Sequence, residues 1–192
     1  RKEIRRLQKR LTDHGKINQR VLADRAELAR WCADFLALEA AGWKGRGRTA
    51  LASRATDAAF FRAACAAAFD GGRLHFLRID LNGCPIAMLA NFRHGHGAFS
   101  FKIAFDEGMA RFSPGVLIEL LNLHGVQGNP GIPWKGSCAA ADHPMIDSLW
   151  AERRTIVQYR VALHGRGVKR LQRAAVFAMA NGAETLAKAL KG

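Results

Sequence analysis

DEGMARFSPGVLIELL, residues 106–121, joins two segments with different hydrophobic periods. The residues before it alternate between apolar and polar side chains as a β-strand does, and the apolar residues after the turn are spaced as in a helix. A turn of arginine, phenylalanine, serine, proline and glycine separates the two. Because the first N–H groups of a helix lack an intrahelical acceptor, such a turn can direct them at an anion. The stretch therefore predicts a strand, an anion-binding turn and a helix in direct succession.

The composition bounds the class of protein. The chain has 192 residues, 49% of them hydrophobic, which is enough for one core or for one core with an appendage. The net charge of +14 favours polyanionic partners such as nucleic acid, anionic lipid or a phosphate-rich cofactor, and a solvated basic surface explains it equally well. No apolar run is long enough to span a bilayer.

The four cysteines have no regular spacing, and two of them, Cys32 and Cys65, lie among apolar residues. We expect buried free thiols and a reducing, cytoplasmic location. His94 and His96 flank a glycine at an expected hairpin turn, without a third ligand nearby, so no metal site is expected. The chain starts at Arg1, and we expect an upstream region that is missing from this sequence.

Three antiparallel strands are predicted over residues 73–80, 85–94 and 98–106. The first two are joined by Asn82-Gly83, a strong hairpin signal. A helix over residues 114–123 follows. Further elements are predicted from shorter patterns. They are a basic amphipathic helix at the start, a strand over 16–22, helices from Asp24 and over 56–69, a strand over 132–139, a helix after His143, a strand over 155–163 and a helical tail from Val168.

This order of elements resembles the GNAT acyltransferase fold. Three stretches, residues 35–51, 60–89 and 105–121, are similar to the GNAT-like domain of the CelD/BcsL-like group, which is related to the Fem-type transferases. Trp43-Lys44-Gly45 and Ser113-Pro114-Gly115 are the most specific parts of a likeness that covers residues 16–163. The resemblance implies an α+β fold whose central mixed, mostly antiparallel sheet is flanked by helices. We expect a basic N-terminal helix over 1–15, the GNAT-like domain over 16–165 and a helical tail over 166–192.

The resemblance also implies an acyl-CoA co-substrate, usually acetyl-CoA, and an amine or hydroxyl acceptor. Carried over, the strand residues that contact the acyl-pantetheine arm are Ile103, Ala104 and Phe105. The residues of the pyrophosphate turn are Arg111, Ser113, Pro114, Gly115 and Val116. A helix N-terminus carries a partial positive charge, Pro presets the helical φ, and Arg adds a charge-assisted contact, so the physical chemistry agrees with this assignment.

Three titratable residues are candidate catalytic groups. Glu107 follows the central strand, near the expected acyl group, and a solvated turn is its alternative interpretation. Asp142 and His143 precede a helix on the far side of the expected cleft, where helix capping explains them as well. Trp43, Lys44 and Trp150 are candidate acceptor-binding residues, with ordinary packing as the alternative.

An N-acyltransferase is the leading functional hypothesis, and two others stay open. One is a non-catalytic GNAT-like module that binds a partner. The other is an aminoacyl-tRNA-dependent Fem-like transferase, in which the basic N-terminal helix would meet RNA. An upstream GNAT-like domain or a homodimer is expected for a Fem-type relative.

Overall fold

The computed structural model describes residues 2–126, 131–140, 142–155 and 157. The chain divides into two units, Arg1–Glu152 and Arg153–Gly192, and every helix and strand named below lies in the first. The helices are α1 (Lys2–Thr12), α2 (Leu28–Ala41), α3 (Trp43–Arg46), α4 (Ala55–Asp70), α5 (Pro114–Val126) and α6 (Pro144–Leu149). The strands are β1 (Ile17–Val21), β2 (Leu74–Leu81), β3 (Cys84–His94), β4 (Gly97–Phe105) and β5 (Trp134–Gly136).

The strands form one five-stranded sheet in the order β1-β2-β3-β4-β5. The pairs from β1 to β4 are antiparallel, and β5 lies parallel to β4. This confirms the mixed, mostly antiparallel sheet and the α+β class. The turn between β2 and β3 has φ values of 52° at Asn82 and 83° at Gly83. Both central residues of a type I′ hairpin turn need a positive φ, which explains the Asn-Gly pair.

Several element boundaries differ from the expected ones. Asp24 caps a 3₁₀ turn over Arg25–Glu27 by accepting a hydrogen bond from the Ala26 N–H, so α2 begins only at Leu28. The strand expected over residues 132–139 shrinks to β5, because Pro133 has no N–H to donate and Cys138 has a positive φ of 53°. The helix expected over 114–123 continues to Val126. The strand over 155–163 and the tail from Val168 lie outside the described residues, apart from Thr155 and Val157.

Each face of the sheet carries its own core. On one face, α2 and α4 pack aromatic side chains against Phe76 of β2, with ring centroids of Phe35 and Phe61 separated by 5.0 Å. Complete burial of such a side chain contributes about 1.5–3 kcal/mol. On the other face, α5 packs on Leu77 and Leu89, and Leu11 of α1 joins this core with no exposed surface. Cys32 and Cys65 are buried free thiols, as expected.

Strand β4 has two features that distinguish it from its neighbours. Its register against β3 shifts so that Phe101 is an extra residue between the Ser100–Asn91 and Lys102–Ala90 pairs, which is a β-bulge. Its parallel pairing with β5 covers only Gly97, Ala98 and Phe99. The second half of β4 therefore has an edge with no strand beside it among the described residues.

We expect Gly97→Val to weaken the attachment of β5. A Cβ atom at Gly97 would lie 2.2 Å from the ring of Trp134, the first residue of β5, so the ring has to move. Such overpacking costs typically about 1–3 kcal/mol in unfolding free energy. Urea unfolding checks this against His96→Val, an exposed position one residue away. An equal loss in both variants would contradict the close approach of Trp134 and Gly97.

Candidate functional site

The half of β4 after Phe99, which has no strand beside it among the described residues, directs backbone groups away from β3. The Asp106 N–H donates a hydrogen bond to the Ile86 carbonyl at 2.9 Å, which makes residues 86 and 106 a hydrogen-bonded pair of the β3–β4 ladder. Hydrogen-bonded and non-hydrogen-bonded pairs alternate in an antiparallel ladder. The N–H and C=O groups of Ile103 and Phe105 therefore point away from β3, towards the open edge. A ligand with amide groups finds donors and acceptors there.

A groove lies between this edge and the end of α2. It consists of two adjoining pockets that share Leu38, Gly42, Phe105 and Glu107 in their linings. Side chains and backbone from α2, α3, β4 and the segment after β4 line it, among them Leu38, Glu39, Trp43, Lys44, Arg46, Ile103, Ala104, Phe105 and Glu107. Five of the residues predicted to bind cofactor or acceptor are thus brought together, namely Trp43, Lys44, Ile103, Ala104 and Phe105.

A buried carboxylate holds two lysines at the floor of the groove. Glu39 has no exposed side-chain surface. Its Oε1 accepts a hydrogen bond from Lys102 Nζ at 2.8 Å and lies 3.6 Å from Lys44 Nζ, and its Oε2 accepts one from the Leu51 N–H at 2.7 Å. Lys44 Nζ donates to the Ile103 carbonyl at 2.8 Å, on the open edge of β4. Burial lowers the pKa of Lys44 despite the neighbouring Glu39 carboxylate.

Glu107 fixes the short helix α3 over the groove. Its Oε1 accepts a hydrogen bond from the Trp43 N–H at 2.5 Å, and its Oε2 accepts one from Arg46 Nη2 at 2.6 Å. The Arg46 hydrogen bond and then the Trp43 N–H hold the pKa of Glu107 below its ordinary value. Glu107 is therefore an ion-paired anion at neutral pH, and a carboxylate in that state is a weak base.

The turn before α5 has the backbone of a helix start. Ser113 adopts the left-handed conformation, with φ 52° and ψ 52°, and its carbonyl accepts hydrogen bonds from the N–H groups of Val116 and Leu117. Arg111 is exposed and lies over the Phe112 ring, 4.7 Å from the centroid. A Cβ atom at Gly115 would lie 3.3 Å from the Phe105 ring, so this glycine lets α5 begin directly beside the end of β4.

The other predicted residues lie away from the groove lining. Asp142 and His143 are exposed before α6, where His143 Nδ1 accepts a weak hydrogen bond, 3.5 Å long, from the Ile146 N–H. Met145, two residues on, reaches the Gly115 turn, so this pair lies near the turn rather than near α3. Trp150 donates its indole N–H to Glu119 Oε1 of α5 at 3.2 Å. Its predicted acceptor contact stays a prediction.

A buried polar network joins α5 to the sheet on the face opposite Glu39. Glu119 Oε1 also accepts from Asn122, which contacts Ser100, Asn91 and Lys135. Burial raises the pKa of Glu119 and lowers the pKa of Lys135 to about 8. Within the described part of the chain, Glu119 Oε2 has no hydrogen-bond partner.

Glu39 and Glu119 are not among the site residues predicted from the sequence, although a pattern in the sequence indicates each of them. Glu39 lies on the same face of α2 as the apolar residues Cys32 and Phe35, because the three positions are spaced three and four residues apart. Glu119 and Asn122 lie three residues apart in α5, which is otherwise apolar up to His124. An acidic residue on an apolar helical face predicts a buried, partnered carboxylate.

The remaining features concern metal ligands and membrane-spanning helices. Among the described residues, no three His, Cys, Asp or Glu side chains lie close enough together to hold a metal ion. No helix in the described ranges has the length and apolar character needed to cross a membrane.

Comparison with known proteins assigns this chain to a family. Residues 1–124 match the family model described as acetyltransferase (GNAT) domain, which is more than half of the chain. No curated protein matches the chain.

Solved structures share the fold at low sequence identity. A GCN5-related N-acetyltransferase from Ralstonia eutropha JMP134 is 17% identical, with a TM-score of 0.51 over 77% of this chain and 99% of its own. An aminoglycoside acetyltransferase from an uncultured soil metagenomic sample, in complex with sisomicin, is 14% identical, with a TM-score of 0.53 over 77% of this chain and 97% of its own. At these identities the likeness establishes the fold alone.

We expect Lys135 to make stability depend on pH in alkaline solution. Burial lowers its pKa from 10.5 to about 8, so between those values the unfolded chain binds a proton that the folded chain has released. The unfolding free energy therefore rises with pH across that window, by up to about 3 kcal/mol. Urea unfolding of wild type and Lys135→Met at several pH values measures the difference, with the exposed Lys16→Met as control. Parallel curves for wild type and Lys135→Met would contradict the burial of this ammonium.

Proposed function

The chain belongs to the acetyltransferase (GNAT) family, and we propose that it transfers an acyl group, in particular acetyl, from acyl-CoA to an amine or hydroxyl acceptor. One observation carries the proposal: β4 stops pairing with β5 after Phe99 and turns the backbone groups of Ile103 and Phe105 to an open edge. The pantetheine arm of CoA contains two amides, which can pair with such an edge as a strand would.

The donor's two ends have separate places in this proposal. The acyl-pantetheine arm lies along Ile103, Ala104 and Phe105. The pyrophosphate lies at Arg111, Ser113, Pro114, Gly115 and Val116, where the N-terminal end of α5 supplies a partial positive charge and Arg111 supplies a full one. The contact between Gly115 and Phe105 supports the arrangement, because it sets the turn directly at the end of the open edge.

The acceptor enters, in this proposal, through the groove beneath α3. Trp43 is 57% exposed there and offers an aromatic surface. The Lys44 amino group lies partly buried beside the open edge. The partly buried hydrogen bond of Trp150 with Glu119 supports a role in holding α6 to α5 more than a contact with the acceptor.

The proposed acid–base groups have different environments. His143 sits with Asp142 at the exposed start of α6, close to the Gly115 turn. Glu107 is held by Arg46 and the Trp43 N–H, which supports a positioning role over that of a general base. His143 and Asp142 lie near the Gly115 turn rather than near α3, so their role in proton transfer stays a prediction from the sequence.

The narrower grouping and the setting are also proposals. The segments with Trp43-Lys44-Gly45 and Ser113-Pro114-Gly115 support membership of the CelD/BcsL-like group of bacterial proteins, related to Fem-type transferases. A cytoplasmic location follows from the acyl-CoA donor, and an upstream GNAT-like domain or a second copy would complete a Fem-type arrangement. Binding of tRNA in place of acyl-CoA is the outcome that favours the Fem-like alternative.

We expect Arg111→Ala to weaken CoA binding by roughly 1–3 kcal/mol, the range for a hydrogen bond to a charged group, or about 5- to 150-fold in Kd. Calorimetric titration of acetyl-CoA measures the effect. Arg30→Ala is the matched control, because Arg30 is an exposed arginine on α2 whose ion pair with Asp34 is long, at 3.9 Å. Equal affinity of wild type and both variants would leave the turn as a helix start alone.

A further inference from the structure

We propose that Lys44 is acylated by the enzyme's own acyl-CoA donor, so that the floor of the groove is a self-modification site. The inference rests on the proposed function, because the donor must lie along the open edge of β4. It concerns a residue of this chain and does not depend on the identity of the acceptor.

Position is the first argument. Lys44 Nζ donates a hydrogen bond to the Ile103 carbonyl at 2.8 Å, and this carbonyl faces the open edge. The amine is therefore one hydrogen bond away from the strand segment along which the acyl-pantetheine arm is proposed to lie. Its side chain is 23% exposed and lines the groove.

The ionic surroundings tolerate the loss of the charge. Two lysines form ion pairs with the single carboxylate of Glu39, and the pair with Lys102, at 2.8 Å, is shorter than the pair with Lys44, at 3.6 Å. The second carboxylate oxygen is satisfied by the Leu51 N–H. When Lys44 becomes a neutral amide, Glu39 keeps both of these hydrogen bonds, and no buried charge is left unpaired.

The chemistry needs a neutral amine, and the site favours one. Burial lowers the pKa of Lys44, so a larger share of the side chain is unprotonated at neutral pH. The Nζ lone pair attacks the carbonyl carbon of the thioester, the C–N amide bond forms and the C–S bond breaks. CoA leaves as the thiolate and takes up the proton that Nζ releases, which gives free CoA and Nε-acyl-Lys44.

Lys135 provides an internal control. Burial lowers its pKa as well, to about 8, but it belongs to the network around Asn122, and β5 pairs with β4 only up to Phe99. If nucleophilicity alone decided which lysine reacts, Lys135 would react as readily as Lys44. Placement beside the open edge distinguishes Lys44.

The test is incubation of the full chain with acetyl-CoA, followed by peptide mass spectrometry over time. We expect Lys44 to gain an acetyl group at a rate that saturates with acetyl-CoA and exceeds that of Lys135 by about tenfold or more, an effect of proximity. Lys44→Arg, which keeps the charge and a donor for the Ile103 carbonyl, should show no saturable incorporation.

Calorimetry on the same samples separates this inference from the proposed function. Binding of acetyl-CoA without an adduct at Lys44 overturns the acylation and leaves the proposed function standing. Equal, unsaturable labelling of Lys44, Lys135 and exposed lysines is ordinary chemical acetylation and overturns it too. Absence of both binding and adduct overturns the two together.

Discussion

The short pairing of β4 with β5 is the constraint on which the site depends. Three residue pairs hold the two strands together, and the pairing ends at Phe99 and Gly136. An unpaired strand edge inside a fold is costly unless its N–H and C=O groups find other partners. Here Lys44 provides one partner, for the Ile103 carbonyl. The groove, α3 and the Glu39 cluster are all arranged around that edge.

Two polar clusters keep the edge in this state, one on each face of the sheet. On the α2 face, Glu39 fixes the lysines of β4 and α3. On the α5 face, the network of Glu119 and Asn122 ties α5 to β3, β4 and β5 where the two strands still pair. Because a buried polar group without a partner costs about 1–3 kcal/mol, each cluster specifies one arrangement of its elements. The strands are thereby held together at one end and apart at the other.

Turns and strands that depend on neighbouring residues are predicted from the sequence, whereas contacts between distant segments are not. Alternation and Asn82-Gly83 give the three-strand meander, since the hairpin turn needs only its own two residues to have positive φ. The family resemblance implies residues 103–105, 43 and 44 as site residues, and all five line the groove. The ion pair of Arg46 with Glu107 spans 61 residues of sequence, and no pattern in either segment indicates it. The same holds for Trp150, whose partner Glu119 lies on another helix.

Hydrogen–deuterium exchange of the backbone amides in β4, with and without acetyl-CoA, tests the central claim most directly. Acyl-CoA that pairs with the open edge should slow exchange at Ile103 and Phe105. The amide of Ala104 already faces β3 in the ladder and should change little. Slowed exchange confined to other parts of the chain, with Ile103 and Phe105 unchanged under saturating acetyl-CoA, would contradict the account.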